Sequence, residues 1–258
     1  MTKTELFRSL HHRDAPLVLP NAWDFGSAAL LADAGFTAIG TTSLGVAAAA
    51  GLPDGAAATR AETLTLAQRL GRLPVPVTVD VEGGFSTDPD EVAEFCAELA
   101  AAGIAGINLE DSRDNDALAD PQTHAELIAA VKSRTPDLFV NARTDTYWLG
   151  IDPGSTLARV RAYEKSGADG IFVPGLTDPT EIRALTSTLT APLNVLFSPT
   201  GPALADLAAL GVRRISTGSL LYRAALAAAV HTAQAVADSG PLPTGIPSYA
   251  TIQKLIAP

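Results

Sequence analysis

The chain has 258 residues and carries 18 Lys and Arg against 28 Asp and Glu, a formal net charge of −10 with pI about 4.8. No basic patch interrupts that acidity, so a nucleic-acid partner is excluded, and an anionic surface disfavours docking on anionic lipid. Hydrophobic residues make up 47%, and a chain of this length buries roughly 75% of its unfolded surface without staples.

The single cysteine, Cys96, precludes an internal disulfide and fits a reducing compartment. It lies in the helical pattern DEVAEFCAELAAAG, where a buried small hydrophobe is the simple reading. The N-terminal segment MTKTELFRSLHHRD is polar and amphipathic and lacks a signal-peptide core. The longest apolar stretches are Ala-rich and broken by Gly or Pro, so none reads as a membrane span. A cytoplasmic protein is expected.

After the N-terminal arm the elements alternate. A β-rich run at 17–20 precedes a helical pattern at 26–34. The run 37–41 is followed by a long Gly- and Ala-rich segment and then a helix at 60–72. Five further strand and helix pairs follow at 75–81 and 89–102, 106–110 and 121–134, 138–142 and 154–166, 169–173 and 178–188, and 193–197 and 202–210. The last pair is 213–217 and 219–237. Glycine closes several helices, at AGF 34–36, AGI 102–104, SGA 166–168 and LGV 210–212, because it accepts the left-handed conformation there. Asp88-Pro89, Asp120-Pro121 and Asp178-Pro179 each set a cap residue before a first-turn proline.

Apolar strands without alternation indicate a parallel sheet covered by helices. Eight βα units in this length fit an α/β chain folded as a (β/α)8 TIM barrel, a single domain over 1–258 with a C-terminal extension from about 238. A doubly wound open sheet competes, but PNAWDFGS after the first strand is not a dinucleotide fingerprint. The Pro-rich tail GPLPTGIPSYATIQKLIAP would cover the barrel floor or reach a neighbouring subunit.

In a barrel, chemistry gathers where strands end. Asp80 and Glu82 end the third strand, Glu110 and Asp111 the fourth, and Asn141 and Arg143 the fifth. Like charges so close call for a cation between them. Asp80, Glu82 and Glu110 offer three hard oxygen ligands with open positions, which suits Mg²⁺, with Mn²⁺ the alternative. The competing reading makes them capping or salt-bridging loop acids. Gly83 and Gly84 either let a ligand approach the backbone or form a simple turn. Arg143 has the fork to grip a carboxylate or phosphonate, or pairs with Asp145 or Glu110. The segment TTSLGVAAAAGLPDG reads as a closing loop with Asp54 as its one acid, or as an Ala-rich helix and turn. His11, His12, His124 and His231 lie away from strand ends, which argues against a zinc site or a His-based triad. Lys132 and Lys165 lie on helices, which weakens a Schiff-base reading.

These residues match a known pattern. The chain resembles the isocitrate lyase / phosphoenolpyruvate mutase superfamily, particularly its short phosphomutase-like branch, over residues 17 to 230. PNAWD-x-GSA-x-L at 20–30, the TTSLGVAAAAGLPDG segment, VDVEGGF at 79–85, NLEDS at 108–112, NARTD at 141–145 and ADLAALGVRRISTGSLLYRAAL at 205–226 carry the resemblance. It implies a barrel whose last helix is swapped between subunits of a homotetramer, a dimer of dimers. It implies Mg²⁺ at Asp80, with Glu82 and Glu110 contacting it directly or through water. It places Thr42, Ser43 and Leu44 at the substrate's carboxylate end, Arg143 opposite, Asp54 on the lid and Asn194 near a further substrate contact. The implied substrate is a small 2-oxo or 2-hydroxy acid.

The departures bear on the reaction. Lyases of the superfamily carry Lys-Lys-Cys-Gly-His after the fourth strand, whose Cys is the acid; here SRDNDALADP stands there, with Asn115 a doubtful match to the mutase loop. After the sixth strand, where lyases often have Glu and the mutase His, this chain has Pro174-Gly175. C–C cleavage, as a lyase or oxaloacetate-type decarboxylase, is the expected reaction. P–C chemistry on phosphonopyruvate and a non-catalytic 2-oxo acid binder are the alternatives.

Overall fold

A computed structural model of the chain describes residues 1–113 and 116–256; Asn115 lies outside them. Its frame is a parallel barrel of β1 (Leu17–Leu19), β2 (Ile39–Thr41), β3 (Val77–Asp80), β4 (Gly106–Glu110), β5 (Phe139–Arg143), β6 (Gly170–Val173), β7 (Leu193–Leu196) and β8 (Arg214–Ser216). Each strand pairs in parallel with its neighbour from β2 through β8, and β8 pairs with β1.

One ribbon closes the ring. Leu17–Leu19 pair with β8, whereas Asn21–Ala22, just beyond Pro20, pair with β2. Pro20 has no N–H to give, but its carbonyl accepts from Gly40 N–H at 2.9 Å, so the seam holds. Asn21 clamps the same seam. Its amide donates to Thr41 O, and its carbonyl accepts from the Thr217 and Gly218 N–H groups. This closure removes the open-sheet alternative.

The helices are α1 (Lys3–Leu10), α2 (Phe25–Asp33), α3 (Ser43–Ala50), α4 (Arg60–Leu70), α5 (Pro89–Ala101), α6 (Pro121–Arg134), α7 (Thr146–Leu149), α8 (Thr156–Lys165), α9 (Pro179–Thr188), α10 (Leu204–Ala209), α11 (Leu220–Ala237) and α12 (Tyr249–Ile256). The Asp caps of α5, α6 and α9 accept first-turn N–H groups, each with proline next in chain. Gly35, Gly103, Gly167 and Gly211 all have positive φ, as their role in ending helices requires.

The N-terminal arm is more ordered than its polarity suggests. Thr2 and Glu5 form a capping box that starts α1, and Phe7 and Leu10 pack with Leu17, Leu19, Ala38, Ala105 and Phe139 at the strand starts. So α1 closes the floor of the barrel. The tail does not: α12 packs against α2 on the flank. Helix α11 buries only Tyr222, leaving Leu226, Val230 and Val236 at 50%, 59% and 64% exposure. No described helix is long and apolar enough to cross a membrane.

Candidate active site

Parallel register stacks the rim side chains in layers. Asp80, Asn108 and Asn141 are successive partners across β3, β4 and β5. One step along the same faces, Glu110 is the partner of Arg143, and Arg143 of Phe172. The pairing puts Arg143 Nη1 2.8 Å from Glu110 Oε2 and 3.9 Å from Asp80 Oδ2, while Nε donates to Asp145 Oδ1 at 2.6 Å. The ion-pair reading of Arg143 therefore holds for Glu110 and Asp145 together. The guanidinium also lies 5.7 Å from the Phe172 ring centroid.

These groups are largely buried, and burial shifts their ionisation. Burial pushes the Asp80 carboxyl up; Arg143 opposes that, and Asp54 and Glu82 add to it. Burial likewise raises Glu110, against the pull of Arg143 and with the push of Asp80 and Asp145. Burial alone would lower Arg143, but Glu110, Asp145 and Asp80 outweigh it and hold it above its ordinary value. Carboxylates outnumber the arginine here, so the cluster favours further positive charge.

The Gly- and Ala-rich segment after β2 begins as a helix. Its N-cap is Thr42, and Gly45, Val46 and Ala47 are buried. A Cβ on Gly45 would come within 2.8 Å of Thr42 and Trp23, so this half is tightly seated. Ser43 and Leu44 line the cavity at the end of α3 where first-turn amides lack intrahelical acceptors and attract anions. Only the stretch from Gly51 onward is a turn, and it brings Asp54 and Gly55 to the same cavity.

Glu82 takes a different place from Asp80. It has φ of 50°, and its carboxylate accepts from Ala57 N–H and Thr59 Oγ1, both at 2.9 Å. It thus fastens the turn after α3 and faces a neighbouring cavity with Gly83, Phe85 and Arg113. A Cβ on Gly83 would lie 2.5 Å from Nη1 of Arg113, at the end of a side chain that can move aside. Gly84 has φ of 95° and fits tightly against Val92.

The cavity at these strand ends, of about 130 Å³, is lined by Thr42, Ser43, Leu44, Asp54, Asp80, Glu110 and Arg143 among the expected residues. Asn194 is not on its wall. It is buried inside the barrel, where it accepts from Ser216 Oγ, itself the acceptor of Arg214 Nε. That network supports the floor, because Ser216 and Asn108 do line the cavity, and Arg214 Nη2 donates to Asn108 Oδ1. Cys96 is fully buried with its thiol pushed up to about 12 by burial, consistent with an inert packing role.

The strand ends name Asp111 and Pro174 but not the apolar surface that Pro174 joins or the partners that Asp111 finds. Trp148, Phe172, Pro174 and Leu196 give the cavity an apolar wall. Asp111 is fully buried on the opposite face of its strand from Glu110. It accepts from Thr144 Oγ1 and Tyr163 OH at 2.7 Å, Asp145 N–H at 2.9 Å and Arg159 Nη1 at 3.2 Å. Its own N–H donates to Arg143 O. The period-2 alternation in NLEDS separates these two acids, but it does not reveal the distant Arg159 and Tyr163.

The donor set fits a hard divalent cation. Asp80 and Glu110 present oxygen ligands, buried and with excess negative charge. Among the described residues no three Asp, Glu, His or Cys side chains converge closely enough to cage a metal. An arrangement of few carboxylates with open positions suits Mg²⁺, which keeps several waters.

Comparison with known proteins agrees with this architecture. The family model for phosphoenolpyruvate phosphomutase matches residues 7–237. An uncharacterised protein of Mycobacterium tuberculosis is 49% identical over 249 residues, 96% of this chain and 94% of its own length. The oxaloacetate decarboxylase of Pseudomonas aeruginosa (strain LESB58) is 32% identical over 240 residues, 86% of this chain and 81% of its own. The structure of a phosphonopyruvate hydrolase in complex with oxalate and Mg²⁺ superposes with a TM-score of 0.86 at 26% identity, covering 99% of this chain and 95% of that one. With these matches spanning nearly the whole barrel, the chain belongs to the phosphoenolpyruvate phosphomutase family of the PEP mutase/isocitrate lyase superfamily.

Proposed function

We propose that this protein is a Mg²⁺-dependent enzyme that cleaves a C–C bond of a small 2-oxo or 2-hydroxy acid, with decarboxylation of an oxaloacetate-type substrate as its leading reaction. The observation that carries this reading is the lining of the cavity. Asp80 and Glu110 share it with Arg143, the one cation among the described lining residues, while Trp148, Phe172, Pro174 and Leu196 add apolar surface beside uncharged polar residues such as Asn21 and Ser216.

The residues take these roles. Ser43 and Leu44 at the start of α3, with Thr42, receive the substrate's carboxylate end. Asp80 and Glu110 would hold Mg²⁺, while Glu82, tied to Ala57 and Thr59, anchors the turn beside them. Mg²⁺ bound there supplies Lewis-acid charge beside the carboxylate and the adjacent C2 oxygen. Arg143, fixed by Glu110 and Asp145, faces the charge that develops as the bond breaks. Asp54, carried on the turn that Glu82 fastens, closes the mouth and excludes water. Decarboxylation needs no acid to cleave the bond, so it is compatible with the absence of the lyase Cys. A carboxylate leaving as neutral CO₂ also suits the apolar wall. Transfer of a phosphonate would bring a multiply charged group to a cavity with no second described cation, which disfavours P–C chemistry.

The family's helix swap supports a second part of the reading. Leu226, Val230 and Val236 of α11 find no cover among the described residues, and we assign them to a partner subunit in a homotetramer.

Product NMR with Mg²⁺ and a panel of oxaloacetate, methylisocitrate, dimethylmalate and phosphonopyruvate tests the reaction. Pyruvate and CO₂ from oxaloacetate are expected. Conversion of phosphonopyruvate alone would reverse the choice between C–C and P–C cleavage. Ligand-dependent stabilisation without any product would make the protein a binder.

A further inference from the structure

Strand β6 ends at Val173, and the chain turns at once through Pro174 and Gly175. Gly175 has φ of +80°, and a Cβ there would lie 3.0 to 3.1 Å from the backbone of Tyr147 and Trp148. Left-handed backbone and lack of space both require glycine at this position. The absence of a side chain lets α7 sit directly on the end of β6. Asp145 precedes α7, Gly150 stops it in the left-handed conformation, and Trp148 is its third residue.

Trp148 is 55% exposed yet lines the cavity, beside Phe172, Pro174 and Leu196. An indole left half in water retains apolar area that a ligand could cover. It lines the same cavity as Asp80, Glu110 and Arg143, so the distal end of a 2-oxo acid held by those groups is within reach of the indole. The side chains of Phe172, Pro174 and Leu196 offer that end no hydrogen bond and no charge.

We propose that Trp148, seated by Gly175, is a specificity-determining residue that selects a distal group on C3 that is apolar or leaves as a neutral molecule. The inference rests on the functional reading above and deepens it. For an oxaloacetate-type substrate, the C3–C4 bond breaks heterolytically. Its electron pair forms the C2–C3 double bond as the C2 carbonyl becomes an enolate, C4 departs as CO₂, and C3 takes a proton from water. The apolar indole face disfavours the charged carboxylate and accepts the neutral product, so with oxaloacetate it acts on the step rather than on substrate binding.

The test measures affinity and turnover on the full-length protein with Mg²⁺. By calorimetry, wild type should bind 2-oxobutyrate and 2-oxopentanoate about three- to fourfold more tightly with each added methylene beyond pyruvate. Trp148→Ala should flatten that series, as should Gly175→Ala if it folds, while oxalate, which has no distal group, binds within about twofold of wild type. With oxaloacetate, Trp148→Ala should lower kcat at least about tenfold with KM nearly unchanged, and Trp148→Phe should restore most of it. An undiminished chain-length series in Trp148→Ala, or a wild type with no such series, would overturn the inference while leaving C–C cleavage standing. A wild type that binds neither oxalate nor any 2-oxo acid would overturn the functional reading and this inference together.

Discussion

Glu110 and Arg143 are direct register partners on adjacent parallel strands, and their side chains meet at 2.8 Å. The ion pair therefore follows from strand register rather than from loop conformation. It leaves Arg143 aimed at the cavity and held from the other side by Asp145.

Removing that arginine would strand Glu110, Asp145 and Asp80 in a buried site. Breaking a buried ion pair at one partner costs on the order of 3–5 kcal/mol. Arg143→Met should thus unfold at clearly lower denaturant than wild type and lose turnover by at least about 100-fold. Equal denaturation midpoints would show that the carboxylates do not depend on this cation.

Asp111 supports the same strand from behind. Asp111→Asn should cost roughly 3 kcal/mol by leaving the buried Arg159 without its counter-charge. It should also lower kcat, because the Asp145 backbone that positions Arg143 loses an acceptor. Denaturation together with steady-state kinetics checks both effects. Unchanged stability would reduce the cluster to a passive contact.

The floor gives the protein an acid sensitivity. His11 stacks on Phe139 at 4.5 Å and donates from Nδ1–H to Phe7 O at 2.8 Å. Burial, with Arg214, His12 and Arg8 nearby, lowers it from 6.5 to about 3. Between those values the unfolded chain binds a proton at this residue and the folded chain does not. Stability from this group is therefore complete above pH 6.5 and falls as the pH drops, by up to about 1.4 kcal/mol per unit. His11→Asn should show a shallower loss between pH 7 and pH 5 than wild type in parallel denaturation series. Identical slopes would show that His11 is charged in the fold.

The exposed apolar face of α11 predicts assembly. Light scattering at micromolar concentration should give about four times the 26.5 kDa chain mass, and Val230→Asp should shift the protein toward smaller species. A monomeric wild type would contradict the swap.

Much of this was legible because strand ends carry their chemistry in plain view. VTVD, NLED and NARTD each run apolar and stop on a polar group, so barrel layering could be anticipated for Asp80, Glu110 and Arg143. Glu82 escapes the same logic. Two residues past Asp80 it ought to share its face, but positive φ turns the chain and sends the carboxylate to Ala57 and Thr59. Nothing in a non-glycine residue marks that conformation. The segment Ser43–Ala50 has alanine's helix propensity but carries Gly45 inside it and Gly51 directly after it, so composition left both readings open; the structure decides for the helix, with Val46 and Ala47 buried. The role proposed for Trp148 has no signal of its own, because it depends on the space left by Gly175 in the turn after β6.

The most direct test of the account is ¹³C NMR of oxaloacetate labelled at C4, followed with Mg²⁺ for wild type, for wild type with chelator and for Asp80→Ala, against the enzyme-free rate. The account predicts release of labelled CO₂ well above background in the first sample only, with Asp80→Ala still folded. Release that persists at the wild-type rate with chelator or in Asp80→Ala would contradict it, as would a wild-type rate no faster than background.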